Sequence, residues 1–161
     1  MARMLDYEVV VCEPRRRFAA ATISADKVDG SWPNACIEKL AAAGRLGAGS
    51  VIIVCTHDRK FDEPALLAAV RSSAGFIGAL GSRRTREDRR VRLLAAGLSE
   101  SEVSRIRSPV GIDLGSETPA ETAVSIFAET IAARRGGSGR PLTELSGAIH
   151  GRHVELCVNG S

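Results

Sequence analysis

Three short runs, Glu8–Cys12 (EVVVC), Val51–Cys55 (VIIVC) and Gly75–Leu80 (GFIGAL), stay apolar without alternating. Successive side chains of a strand point to opposite faces, so a strand with one wet face alternates. An uninterrupted apolar run belongs to a strand covered on both faces, as in a parallel sheet between helical layers. Helical patterns lie between the runs, so the expected class is α/β, a Rossmann-like three-layer arrangement with a mostly parallel sheet. At 161 residues and 44% hydrophobic content the chain suffices for one such core.

Capping chemistry marks the helices. Asn34 is a candidate cap for a helix carrying Cys36, Ile37 and Leu40 that Gly44 ends. Asp62, with Pro64 just inside, is expected to open another through Leu66, Leu67 and Val70. Ser82 is expected to cap a third, closed by Gly97. Two capping boxes follow, Ser99 with Glu102 and Thr118 with Glu121, each pairing a hydroxyl and a carboxylate three residues apart. The second begins a helix over Pro119–Arg134 whose Ala123, Val124, Phe127 and Ile131 are read as its buried stripe. The domain is thus read as residues 1–135. Gly136, Gly137, Ser138 and Gly139 start a flexible or weakly structured tail, 136–161, with one candidate strand at His153–Val158.

Cys12, Cys36, Cys55 and Cys157 are widely spaced, with no C-x-x-C pair, and read as buried free thiols. His57, His150 and His153 make no metal-ligand spacing, so no metal site is expected. All but three of the 22 basic residues are arginine, and six fall between Arg83 and Arg92. With little aromatic interleaving and no nucleic-acid motif, these read as a solvated helix face. No apolar run approaches the roughly 20 residues of a membrane span, and Met1–Leu5 is too short for a signal segment. The expectation is a cytoplasmic protein that binds neither membrane nor nucleic acid.

A dinucleotide-binding unit begins with a strand, a glycine-rich turn and a helix, and its second strand ends in an acidic residue. Glu8–Cys12, ending in Glu13-Pro14-Arg15, suits that second strand. Only seven residues precede it, and they read as the end of the first helix, whereas a βαβ unit needs roughly 25 to 30 for the missing parts. The first strand and its glycine loop are therefore expected to be absent. In the doubly wound order that strand lies centrally, so its absence leaves two strands with unpaired edges. They must pair directly, be bridged by another chain, or fold poorly.

Thr56-His57-Asp58, Gly78-Ala79-Leu80-Gly81-Ser82-Arg83-Arg84, Pro109-Val110-Gly111-Ile112-Asp113-Leu114-Gly115-Ser116 and Thr118-Pro119-Ala120-Glu121, with Val10–Arg15, are ordered blocks. In order and spacing they resemble the XdhC/CoxI family, and specifically its C-terminal Rossmann-like domain without its beginning. The resemblance implies an accessory protein, a chaperone more than an enzyme. It would bind molybdenum cofactor, protect it during sulfuration and deliver it to a molybdenum hydroxylase such as xanthine dehydrogenase. A cysteine desulfurase is an implied further partner, and a homo-oligomer or a complementing chain is expected from the open sheet.

Sites in open α/β sheets lie at strand carboxyl ends. Gly81, Ser82, Arg83 and Arg84 are therefore candidates to hold the molybdopterin phosphate, at a helix start whose free N–H groups attract anions. Thr56, His57 and Asp58 follow another strand end, with His57 as a hydrogen-bonding or proton-handling group. Gly78, Gly111, Asp113, Gly115 and Glu13 complete the candidate cofactor-binding set, with Asp113 suited to a pterin hydroxyl or amino group. No catalytic residue is assigned; without a G-x-S-x-G elbow, a hydrolytic triad involving Ser82 and His57 has no support. Two other functions remain open, an NAD(P)-binding oxidoreductase domain suggested by Glu13, and a structural module that pairs with another subunit. The missing glycine loop argues against NAD(P).

Overall fold

The computed structural model describes residues 1–19, 25–146 and 149. A single 3-10 turn at Ala2–Leu5 leads into strand β1 (Val10–Cys12), helical turn α1 (Arg16–Ala19), β2 (Lys27–Asp29) and α2 (Pro33–Ala42). Then come β3 (Val51–Val54), α3 (Arg59–Arg71), β4 (Phe76–Ala79), α4 (Arg83–Ala95), α5 (Glu100–Ser104), β5 (Ile106–Arg107) and α6 (Pro119–Arg135). Every strand pairing among the described residues is parallel. The strands form two sheets, β1–β2 and β3–β4–β5, with β1 and β3 unpaired to each other.

The order β2–β1 and β3–β4–β5 follows the doubly wound pattern on either side of a cleft lined by β1 and β3. Of the three outcomes foreseen for β1 and β3, direct pairing does not occur. Strand β2 (KVD) is not among the runs read from the sequence, because only one of its three residues is apolar. The two-residue β5 was missed because of its length. The candidate strand His153–Val158 lies outside the described residues.

Helix starts follow the expected chemistry with two corrections. Asp58, not Asp62, caps α3, accepting the Lys60 N–H at 3.2 Å. Trp32, rather than Asn34, precedes α2, and Pro33 occupies the first helical position, where its missing N–H costs nothing. Ser82 caps α4 through the Thr85 N–H at 3.1 Å, and both capping boxes form. Gly136 ends α6 in the left-handed region at φ 69°.

The β3–β4–β5 sheet lies between two apolar clusters. One face packs Val54, Ile77 and Ala79 on Leu66, Ala69 and Val70 of α3, with Ile37 and Leu93 beside them. The opposite face packs Phe76 on Val110 and Ile126 of α6. Phe76 and Ile77 thus enter different clusters, as adjacent residues of a doubly covered strand must. Gly78 is buried in mid-strand, where a Cβ would stand 2.6 Å from Val110 Cγ2.

On α6 the buried residues are Ser125, Ile126 and Thr130, whereas Val124 and Ile131 are exposed. Ala123 and Phe127 of the expected stripe are half-buried, so the stripe sits at the margin of the core rather than at its centre. The buried hydroxyls bond to carbonyls, Ser125 Oγ to Ile112 and Thr130 Oγ1 to Ile126, which lets a polar face pack inward. Cys12 and Cys36 are also corrected, since a disulfide joins β1 to α2; Cys55 is free but exposed rather than buried, and Cys157 lies outside the described residues.

The arginine run of α4 is mostly exposed, but Arg89 is only 2% exposed. Its Nε and one terminal nitrogen donate to Asp62 Oδ2 at 3.0 and 2.9 Å, and that nitrogen also donates to the Leu80 carbonyl at 3.0 Å. The other terminal nitrogen reaches Ser108 Oγ at 2.7 Å. One guanidinium thus binds α3, the end of β4 and the loop after β5 to α4. Removing one member of such a pair strands the other charge in a dry site. We expect Arg89→Met to lower stability by about 3–5 kcal/mol in urea unfolding. Arg89→Met with Asp62→Leu should recover much of that loss, while an Arg89→Met loss below about 1 kcal/mol would show the bridge to be dispensable.

Candidate functional site

The carboxyl ends of β1, β3 and β4, with the loop after β5, converge on one side of the sheet, where the candidate residues fall into three groups. The first borders a cleft of about 570 Å³ between β1 and β3, lined at this end by Glu13, Pro14, Arg15, Cys55, Thr56 and Phe61. Arg15 holds Glu13 in a fork, with Nε on Oε1 and a terminal nitrogen on Oε2, both at 2.7 Å. The Arg15 side-chain bond keeps the Glu13 carboxyl below its ordinary range. Thr56 Oγ1 accepts the Asp58 N–H at 3.0 Å and so sets up the α3 cap. His57 is exposed, and Asp58 is occupied by the Lys60 N–H and, at 3.4 Å, by its ammonium group.

The second group is the start of α4. Gly81 has φ 147°, and a Cβ there would meet Thr85 Cγ2 at 3.0 Å. Ser82 Oγ is engaged by Thr85. Arg83 and Arg84 are exposed in the first helical turn, and neither forms an ion pair with a described residue. Glu63 and Glu100 instead take Arg92 and Arg90 farther along the helix. The first turn therefore presents two uncommitted guanidinium groups beside the helix's positive end.

The third group is the loop before α6. Gly111, at φ 117°, lies so close to Ser125 Oγ that a Cβ would stand 2.3 Å from it. The Gly111 N–H donates to Glu129 Oε2 at 2.6 Å, and Glu129 Oε1 accepts from Arg107 at 3.0 Å. Asp113 is exposed and accepts the Gly115 N–H at 3.3 Å, and Gly115 sits at φ 64° with open space around it. Close packing accounts for Gly78, close packing together with positive φ for Gly81 and Gly111, and left-handed backbone alone for Gly115.

Arg89 links the second and third groups through Leu80 and Ser108, and the Val110 N–H donates to the Ala79 carbonyl at 3.2 Å. Sequence reasoning missed this linkage because Arg89 sits within a run of exposed arginines and Asp62 looked like a helix opener. The buried Asp62 Oδ1 has no hydrogen-bond partner among the described residues. Those residues also hold no cluster of His, Cys, Asp or Glu suited to a metal ion.

A family model described as the XdhC Rossmann domain matches residues 1–130. The chain belongs to that family. It is 33% identical over 94 residues to a molybdenum cofactor insertion chaperone, PaoD, of Escherichia coli K12, an alignment covering 58% of this chain and 30% of the relative. It is 28% identical over 131 residues to a probable xanthine dehydrogenase subunit of Bacillus subtilis 168, covering 80% of this chain and 36% of that one. The solved structure of a xanthine dehydrogenase from Bacillus halodurans superposes with a TM-score of 0.64 at 23% identity, over 84% of this chain and 38% of that chain. This last likeness concerns the fold. The XdhC-family chain thus spans about a third of the length of each of these three proteins. Among its described residues no helix is long and apolar enough to cross a membrane.

Beside Glu13 stands a second carboxylate that sequence reasoning did not single out. Asp29 closes β2; its carbonyl accepts the Glu13 N–H at 3.0 Å, and its side chain accepts the Ser31 N–H at 2.9 Å, with Lys39 at 3.4 Å. Hydrogen bonds from Ser31, then Lys39, hold its pKa down at about 2 against an ordinary 3.8. Its stabilising contribution is therefore complete above pH 3.8 and is lost as the pH falls toward 2. A carboxylate NMR titration should find that low midpoint, and Asp29→Asn should flatten this part of the acid-unfolding curve. A midpoint at the ordinary value would remove the assignment.

Proposed function

We propose that this XdhC-family chain acts in molybdenum cofactor insertion, holding the cofactor as cargo at the carboxyl edge of its sheet for delivery to a molybdenum hydroxylase of the xanthine dehydrogenase type. The observation that carries this reading is the pair of uncommitted guanidinium groups, Arg83 and Arg84, at the opening turn of α4. Ser82 satisfies the Thr85 N–H, while the earlier amides of the turn have no partner within the helix. Two forks and a positive helix end suit the phosphate of a pterin cofactor. The relative named as a molybdenum cofactor insertion chaperone supports the same cargo.

On this reading Thr56, His57 and Asp58, together with Gly111, Asp113 and Gly115, border the pterin, and Gly81 shapes the turn beneath the phosphate, while Gly78 serves the packing of β4 beneath it. The chain binds and shields rather than transforms the cofactor. Sulfuration while the cofactor is held would bring a cysteine desulfurase as second partner. An NAD(P) role has weaker support, because Arg15 already engages both Glu13 carboxylate oxygens that would meet a ribose.

Purified chain mixed with molybdopterin and passed over a desalting column should carry pterin fluorescence with it and delay pterin oxidation. Replacing both Arg83 and Arg84 with alanine should weaken retention by roughly tenfold or more, since each charged hydrogen bond contributes about 1.5–3 kcal/mol. The fold, read by circular dichroism, should be unchanged. Retention equal in the double variant would remove the phosphate site, and no retention by the unaltered chain would remove cofactor holding by this chain.

A further inference from the structure

The basic run of α4 divides into residues that face water and one that does not. Arg89 is 2% and Asp62 3% exposed, so this charged pair lies as deep as the apolar core around it. Apolar side chains of similar volume fill such a site without desolvating a charge, and buried pairs are commonly no more stabilising than their apolar replacements. Stability alone therefore does not account for these residue types, and the directions of the bonds point to a second role.

An arginine and a carboxylate paired for attraction alone meet fork to fork, two nitrogens on two oxygens. Here both guanidinium bonds fall on Asp62 Oδ2, at 3.0 and 2.9 Å, and Oδ1 has no hydrogen-bond partner among the described residues. The end-on arrangement leaves the outer donors for other segments. One terminal nitrogen reaches the Leu80 carbonyl at 3.0 Å, and the other reaches Ser108 Oγ at 2.7 Å. A Cβ on Gly81 would stand 3.7 Å from that second nitrogen, so the guanidinium also lies against the turn that opens α4.

Each bond adjoins a different group of candidate residues. Asp62 is in the first turn of α3, which Thr56 and Asp58 set up. Leu80 directly precedes Gly81 and Ser82. Ser108 leads to Val110, whose N–H donates to the Ala79 carbonyl at 3.2 Å, and to Gly111, whose N–H donates to Glu129. A rigid planar group with donors on three sides fixes its three acceptors at set angles.

We propose that Arg89 is the positioning residue of the cofactor site. It touches no ligand, and it locks the three segments into one arrangement, so that a molecule spanning them meets all three at once. The proposal rests on the reading of this edge as the place where a pterin cofactor is held. Positioning of this kind acts strongly on a ligand that reaches several segments and weakly on one that reaches a single turn. Molybdopterin is the first kind, and inorganic phosphate, held by Arg83 and Arg84, is the second.

The test replaces Arg89 with lysine in the full 161-residue chain. The ammonium keeps a positive charge beside Asp62, but its donors radiate from one nitrogen and do not serve Asp62, Leu80 and Ser108 together. Arg89→Lys should keep the native circular dichroism. Its retention of molybdopterin on a desalting column should fall about tenfold or more, whereas inorganic phosphate, followed by amide NMR shifts in the α4 turn, should bind at most about threefold more weakly. A merely structural role would weaken both ligands alike.

Amide exchange gives a second readout that needs no ligand. The Val110 and Gly111 amides should exchange at least about tenfold faster in Arg89→Lys, while the Phe76 amide, bonded to the Ser50 carbonyl in the β3–β4 ladder, keeps its rate. Should Arg89→Lys not fold, Arg89→Met with Asp62→Leu makes the same comparisons with no charge left in the site. The proposal is overturned by undiminished molybdopterin retention in either folded variant, by equal losses for molybdopterin and phosphate, or by exchange that rises equally at all three amides or at none. No retention by the unaltered chain would instead remove the reading of the edge itself, and the proposal with it.

Discussion

A backbone amide or carbonyl taken out of water must find a partner, and a parallel sheet meets that demand only where each strand has a neighbour on both edges. Here the demand is met outward from β1 to β2 and from β3 to β5, and not between β1 and β3. Other contacts cross that interruption. Helices α2 and α3 span it on one side, the Cys12–Cys36 disulfide holds β1 to α2, and the pairs at Glu8–Arg45 and Arg15–Phe61 hold its two ends. The two sheets therefore keep a common strand direction without sharing a ladder.

The second organising interaction is the buried Arg89. Its hydrogen bonds to Asp62, Leu80 and Ser108 place the start of α3, the end of β4 and the loop after β5 relative to one another. Those elements carry the candidate cofactor-binding residues, so a group that touches no ligand sets the geometry of the edge proposed to hold one. Arg83 and Arg84 come from the same helix and the same basic run. Their different role follows from position: they stand in the first turn and face water, whereas Arg89 turns inward.

Where sequence reasoning failed, the cause was a pattern that two structures satisfy equally well. Ala123, Val124, Phe127 and Ile131 recur at helical spacing, and so do Ser125, Ile126 and Thr130 in part; of the first set Val124 and Ile131 face water, and the second set holds the buried positions. Serine and threonine bury readily on a helix when their hydroxyls have carbonyls to bond, which periodicity cannot register. Phe127 of the expected stripe instead meets the Tyr7 ring at 6.1 Å between centroids. The cysteines failed similarly, since sulfurs 24 residues apart in sequence reveal their pairing only when β1 and α2 are placed together.

The sequence by itself determined the parallel α/β class, the family, and the helix boundaries written in Ser82, Ser99 and Thr118. These follow from local rules: the period of apolar residues and the reach of a capping hydroxyl. Tertiary structure alone decided which of six clustered arginines is buried and which carboxylate it meets. It also decided which face of α6 packs inward. Each depends on contacts between residues far apart in the chain, where desolvation and hydrogen-bond geometry choose among side chains that local pattern treats as equivalent.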